Sequence, residues 1–110
     1  MDVVKKARFD EAAIEYPKYA DALRYCYDHL IEATPTRFQD LKNIFGRNLD
    51  LFTHRSELHW VVIDISRNKL RLIGGVNYKR QKFYVKHIYL HADYDVATQW
   101  YNSHPRGTKP

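Results

Sequence analysis

The hydrophobic period of this chain changes near Gly46 from helical to strand-like, and that change fixes the kind of fold it can adopt. Before it, Leu23, Cys26, Tyr27, Leu30 and Ile31 recur at helical spacing, one apolar stripe over residues 18–33. "RFDEAAIEY" (8–16) reads as an earlier helix that Pro17 must end, since proline has no N–H to donate and its ring crowds the preceding turn. "ATPTRFQDLKNIFG" reads as a third helix. Thr34 or Thr36 can cap it, and Gln39 stands three residues after Thr36 as in a capping box. Phe38, Leu41, Ile44 and Phe45 make its buried face, and Gly46 stops it.

Beyond Gly46 the pattern is that of strands. "LDLFTHR" alternates, "LHWVVIDI" is β-branched and aromatic, and "KFYVKHIYL" is so again. Between the last two, "KLRLIGGVNY" sets Lys69, Arg71 and Ile73 against Leu70, Leu72 and Gly74. These four runs predict an antiparallel meander. Gly74–Gly75 inside a strand predicts a bulge or a close backbone approach. A short strand "DVV" precedes the helices, and "HADYDVATQWY" predicts a short closing helix with Val96, Ala97, Trp100 and Tyr101 on one side. The whole is an α+β domain over residues 1–110, N-terminal helices on one face of a C-terminal antiparallel sheet, with a loose tail at 102–110.

The charge is divided as unevenly as the periodicity. Residues 1–33 hold five Lys/Arg against seven Asp/Glu, and residues 34–110 hold thirteen against six, which together give the formal net charge of +5. A basic sheet half suggests an acidic partner, and nucleic acid is the commonest. The single cysteine, Cys26, excludes an internal disulfide and sits on a predicted core face, where packing explains it better than nucleophilic chemistry. No apolar run approaches the ~20 residues of a membrane-spanning helix, and the first ten residues carry no signal-peptide pattern. A cytoplasmic location and no membrane partner are the expectation.

Side chains alternate along a strand, so Lys69 and Arg71 share the face opposite Leu70 and Leu72, and Tyr84 and Lys86 the face opposite Phe83 and Val85. Cations that hold phosphates and rings that stack on bases suit a single-stranded RNA platform. The same pattern also describes a solvated face charged against edge pairing. His54, Arg55 and His91 add ionisable groups at strand ends. His87 and His91 are four apart, but they straddle a strand end rather than one helix turn. No Cys or Glu cluster joins them, and no phosphate-binding glycine loop is present, so no metal and no other cofactor is expected. RNA can be cut without metal by residues that move the 2′-OH proton, protonate the departing 5′-oxygen and stabilise the phosphorane's added charge. Lys, Arg, His and Tyr suffice.

The stretches "AAIEYP", "FQDLKNIF", "LDLF", "WVVIDI", "LRLI" and above all "QKFYVKHIYLHADYD" resemble the HigB-type toxins of bacterial toxin–antitoxin modules, within the RelE-like ribonuclease superfamily. The resemblance covers nearly the whole chain. It implies a RelE-like fold and an endoribonuclease that cuts mRNA during translation in the ribosomal A site. It implies a helix-turn-helix antitoxin of the HigA kind as partner, and promoter DNA bound only through the toxin–antitoxin complex. Carried over residue by residue, it makes Arg71, Lys86, His91 and Tyr94 the catalytic positions, with His54, Arg55, Lys69 and Tyr84 as RNA contacts. Arg71 and Lys86 would stabilise phosphate, and His91 or Tyr94 would move protons. His87 ranks below His91, because relatives can carry an acid there. Thr53 stands where relatives usually have a lysine. The alternative is a non-catalytic RNA- or protein-binding module on the same fold.

Overall fold

The computed structural model describes residues 1–51 and 59–90. The elements run β1 (Asp2–Val4), α1 (Ala7–Glu15), α2 (Ala20–Glu32), α3 (Phe38–Phe45), β2 (Leu49–Leu51), β3 (His59–Ile65), β4 (Leu70–Asn77) and β5 (Lys82–Leu90). The change of period at Gly46 is thus the change from helix to sheet. The expected closing helix and the run after Leu51 lie outside the described residues.

Each helix boundary has a local cause. α1 stops ahead of Pro17, which opens a single 3-10 turn, Pro17–Tyr19, before α2. α3 ends at Gly46, whose φ of 59° is open to glycine without penalty. Its start differs from the capping box that the sequence suggests. The helix begins at Phe38, so its third residue is Asp40 rather than Gln39. Asp40 Oδ2 accepts from the Thr36 backbone N–H at 2.9 Å and the Thr36 hydroxyl at 3.0 Å, while Gln39 donates to Asn43. Those two bonds hold the Asp40 carboxyl below its ordinary range.

The five strands form one sheet in the order β1-β5-β4-β3-β2. β2 through β5 are the expected antiparallel meander, and β1 joins as a parallel edge strand, Asp2 to Val4 alongside Lys82 to Tyr84. One face packs on the helices. Phe9, Ala12, Leu23, Cys26, Leu30 and Leu41 meet Val61, Ile63, Leu70, Leu72, Phe83 and Val85 in a single buried cluster. Within the predicted stripe of α2, Leu23, Cys26 and Leu30 are buried, whereas Ile31 is exposed at the last turn. Trp60, Val62 and Ile73 are buried as well but stand apart from that cluster. The second face therefore has an apolar floor of its own, where alternation alone suggests an open polar surface.

Burial pushes the Cys26 thiol up to about 12. Native protein is therefore expected to resist iodoacetamide at pH 8 and to take up one equivalent only after unfolding. Rapid native labelling, followed by mass spectrometry, would show that Cys26 is not packing.

Candidate active site

The second face of the sheet is built across three strands. Register aligns Asp64, Arg71 and Tyr89 in one row, and Val62, Ile73 and His87 in the next. Beyond them come Trp60, Gly75 and Tyr84. Here the ladder slips. Ile73 pairs with His87 but Gly74 pairs with Val85, so Lys86 is an extra residue in β5. The buried positions of β5 show the insertion directly, since Phe83 and Val85 are two apart but Ile88 follows three later. The anticipated bulge is present, and the inserted residue lies on β5 opposite the glycines. Gly74 also supplies the anticipated close approach, because a Cβ there would come within 2.5 Å of the Phe83 ring.

The bulge sets two successive side chains, Lys86 and His87, on the second face. The Lys86 ammonium lies over the Trp60 ring, 5.3 Å from its centroid. The His87 ring stacks on Tyr89 at 3.9 Å, nearly parallel. Burial lowers the Lys86 pKa, and the charges of Arg8 and then Lys5 lower it further. A lysine in that setting gives up its proton more readily than a free one.

Arg71 reaches the face as half of an ion pair, its Nε 3.1 Å from Asp64 Oδ1. The two side chains are 22% and 14% exposed, so solvent and salt screen them little. Asp64 thereby aims the guanidinium and offsets part of its charge. Tyr84 is half-buried on the same face, as its alternation with Phe83 and Val85 requires.

Lys69 is not on β4. The first pair of the β3–β4 ladder is Ile65 with Leu70, and Lys69 belongs to the preceding turn, where Ser66, Arg67 and Asn68 all have positive φ. Four residues are needed to close that hairpin, so Lys69 becomes an exposed turn residue rather than a neighbour of Arg71 in the strand. His54, Arg55, His91 and Tyr94 lie outside the described residues. Among the described residues, no three His, Cys, Asp or Glu gather as a metal site would need.

Sequence reasoning passed over Trp60 and Asp64 as parts of this face. Both alternate with the buried Val61 and Ile63, so the period-two rule places them once the strand is accepted. Their partners Lys86 and Arg71 follow only from the register.

A family model described as HigB_toxin, RelE-like toxic component of a toxin-antitoxin system, matches residues 19–97. The chain is 38% identical over 101 residues to an mRNA interferase HigB of Escherichia coli O6:H1, covering 92% of this chain and 95% of that one. It is 26% identical over 98 residues to an mRNA interferase HigB of Shigella flexneri, covering 89% and 91%.

Proposed function

This chain belongs to the HigB toxin family, the RelE-like toxic components of toxin–antitoxin systems, and from that premise we propose that it is an mRNA endoribonuclease acting in the ribosomal A site without a metal ion. The observation that carries the reading is Lys86, a cation delivered by a bulge onto a face floored with aromatic and apolar side chains, the same face that Arg71 occupies one row beyond His87. The half-buried Tyr84 and Tyr89 can offer rings to bases there, and the cations offer charge to phosphates.

In the reaction proposed, the 2′-OH of one nucleotide attacks the adjacent phosphorus. Its proton passes to a base, the P–O5′ bond breaks, and the departing 5′-oxygen takes up a proton. The products are a 2′,3′-cyclic phosphate and a free 5′-hydroxyl. Lys86 and Arg71 offset the charge gained by the non-bridging oxygens, where preorganised cations act most strongly. His91 and Tyr94 are assigned the two proton transfers. A tyrosine titrates near ~10, so one acting as a base needs neighbouring cations to lower it. Tyr84, His54, Arg55 and the turn residue Lys69 are assigned to holding the strand. A helix-turn-helix antitoxin would neutralise the toxin, and promoter DNA would be bound only by their complex.

The test is induction of the chain in bacteria with and without a cognate antitoxin, followed by mapping of mRNA 5′-ends. New 5′-hydroxyl ends inside reading frames, absent when the antitoxin is co-expressed, are the expected result. Growth arrest with unchanged transcripts would overturn the reading, and cleavage of untranslated RNA at the same sites would remove the ribosome from it.

A further inference from the structure

The positive charge of the second face continues past Lys86. Because β1 runs parallel to β5 with Val4 beside Tyr84, the chain leaves β1 alongside the bulge. Lys5, with a φ of 72°, turns it there into α1. Such a φ suits glycine or asparagine better than lysine. Arg8 follows on the first turn of α1 and shares a small hollow of about 70 Å³ with His87 and Ile88. Both cations are close enough to Lys86 to act on its charge. Arg8 is half-buried, and its Nε is shielded from solvent with no hydrogen-bond acceptor among the described residues. A shielded guanidinium N–H without an acceptor, beside two more cations, is an unfavourable arrangement in the free protein. An anion placed there would relieve it on both counts. Glu11 and Glu15 line the same hollow and bound the basic surface on the α1 side.

We propose that Lys5 and Arg8, wrapping from Lys86 around the β5 edge, form a second subsite that holds a phosphodiester of the RNA strand next to the one being cut. This rests on the RNA-cleaving reading above and adds to it the direction in which the strand leaves the site. The edge of β5 beside β1 carries the backbone, and Lys86 stands where the two phosphates meet.

The test uses the full chain and a short single-stranded 2′-O-methyl RNA, which can bind but cannot be cut. Each phosphate contact on a single strand contributes about 0.7 to the slope of log affinity against log salt. Lys5→Gln/Arg8→Gln is therefore expected to flatten that slope by roughly 0.7, and to raise KM for transcript cleavage more than it lowers kcat. Lys18→Gln/Arg24→Gln removes the same charge from the helical layer and is expected to leave the slope at the wild-type value. Lys5 is exposed, so Lys5→Gln alone, expected to flatten the slope by part of that about 0.7, gives an answer even if the double variant does not fold. A wild-type slope in the Lys5/Arg8 variants, or equal flattening in both doubles, overturns the subsite. Cleavage by wild type alongside an unchanged slope would sink the subsite and keep the nuclease. Flattening without any cleavage by wild type would do the reverse.

Discussion

Lys86→Met is expected to lower mRNA cleavage about 10²–10³-fold, the usual cost of removing one preorganised charge-stabilising group, while leaving the fold at least as stable. Methionine keeps an unbranched stem over the Trp60 ring and removes only the ammonium. The sign of the stability change follows from the pKa. Lys86 is lowered from its ordinary 10.5, first by burial and then by Arg8 and Lys5. Between the lowered value and 10.5 the unfolded chain binds more protons than the folded one, so stability rises with pH through that window. Below the window the charged side chain is a standing cost to the folded state, offset in part by the contact with Trp60, worth about 0.5–1 kcal/mol. The methionine variant loses that cost along with its pH dependence. Thermal melts of both proteins from pH 7 to pH 10, with cleavage measured alongside, check both halves. Activity within threefold of wild type would remove Lys86 from the chemistry, and a clearly lower Tm at pH 7 would show the Trp60 contact to outweigh the burial of charge.

Gly74→Ala is the second large effect, and it concerns stability. The added Cβ would lie 2.4 Å from Phe83 Cζ and 2.5 Å from Cε1, with the Tyr84 carbonyl oxygen 3.1 Å away. Phe83 is fully buried, so its ring has nowhere to swing. Overpacking of this kind costs about 1–3 kcal/mol and occasionally more. The upper end is expected here, a fall in Tm of roughly 10 °C or more for a domain of this size. The same substitution disturbs the ladder where Lys86 is inserted, so cleavage should fall beyond what the lost folded fraction explains. Phe83→Leu in the Gly74→Ala background should recover part of the loss, because the two residues share one space and their effects cannot add. A Tm within 2 °C of wild type would mean that β4 and β5 separate easily and that the glycine is incidental.

Much of this architecture was legible in the sequence. The helices, the meander, the buried sides of β4 and β5 and the resemblance to HigB-type toxins all follow from patterns within a few residues of one another. The errors had local causes too. Asp40 rather than Gln39 answers Thr36 because the start of α3 moves the helical count by one. Lys69 falls off β4 because the hairpin closes through a turn of three consecutive positive-φ residues, which the alternation of "KLRLI" does not reveal. The catalytic assignments of His91 and Tyr94 and the RNA contacts of His54 and Arg55 rest on the family resemblance alone.

Periodicity reports which way a side chain points from its own backbone, and that much the sequence determined: Arg71, Tyr84 and Lys86 turn away from the helices. Which strand stands next to which, and in what register, depends on how the whole chain packs. Only the tertiary structure decided that Asp64 faces Arg71 and that Lys86 is an inserted residue over Trp60. It alone set β1 beside β5, so that Lys5 and Arg8, nearly eighty residues earlier in the chain, reach the same edge. A parallel pairing across that distance leaves no local signal, because its loop-closure cost is repaid by burial of the common core rather than by any preference of the residues it joins.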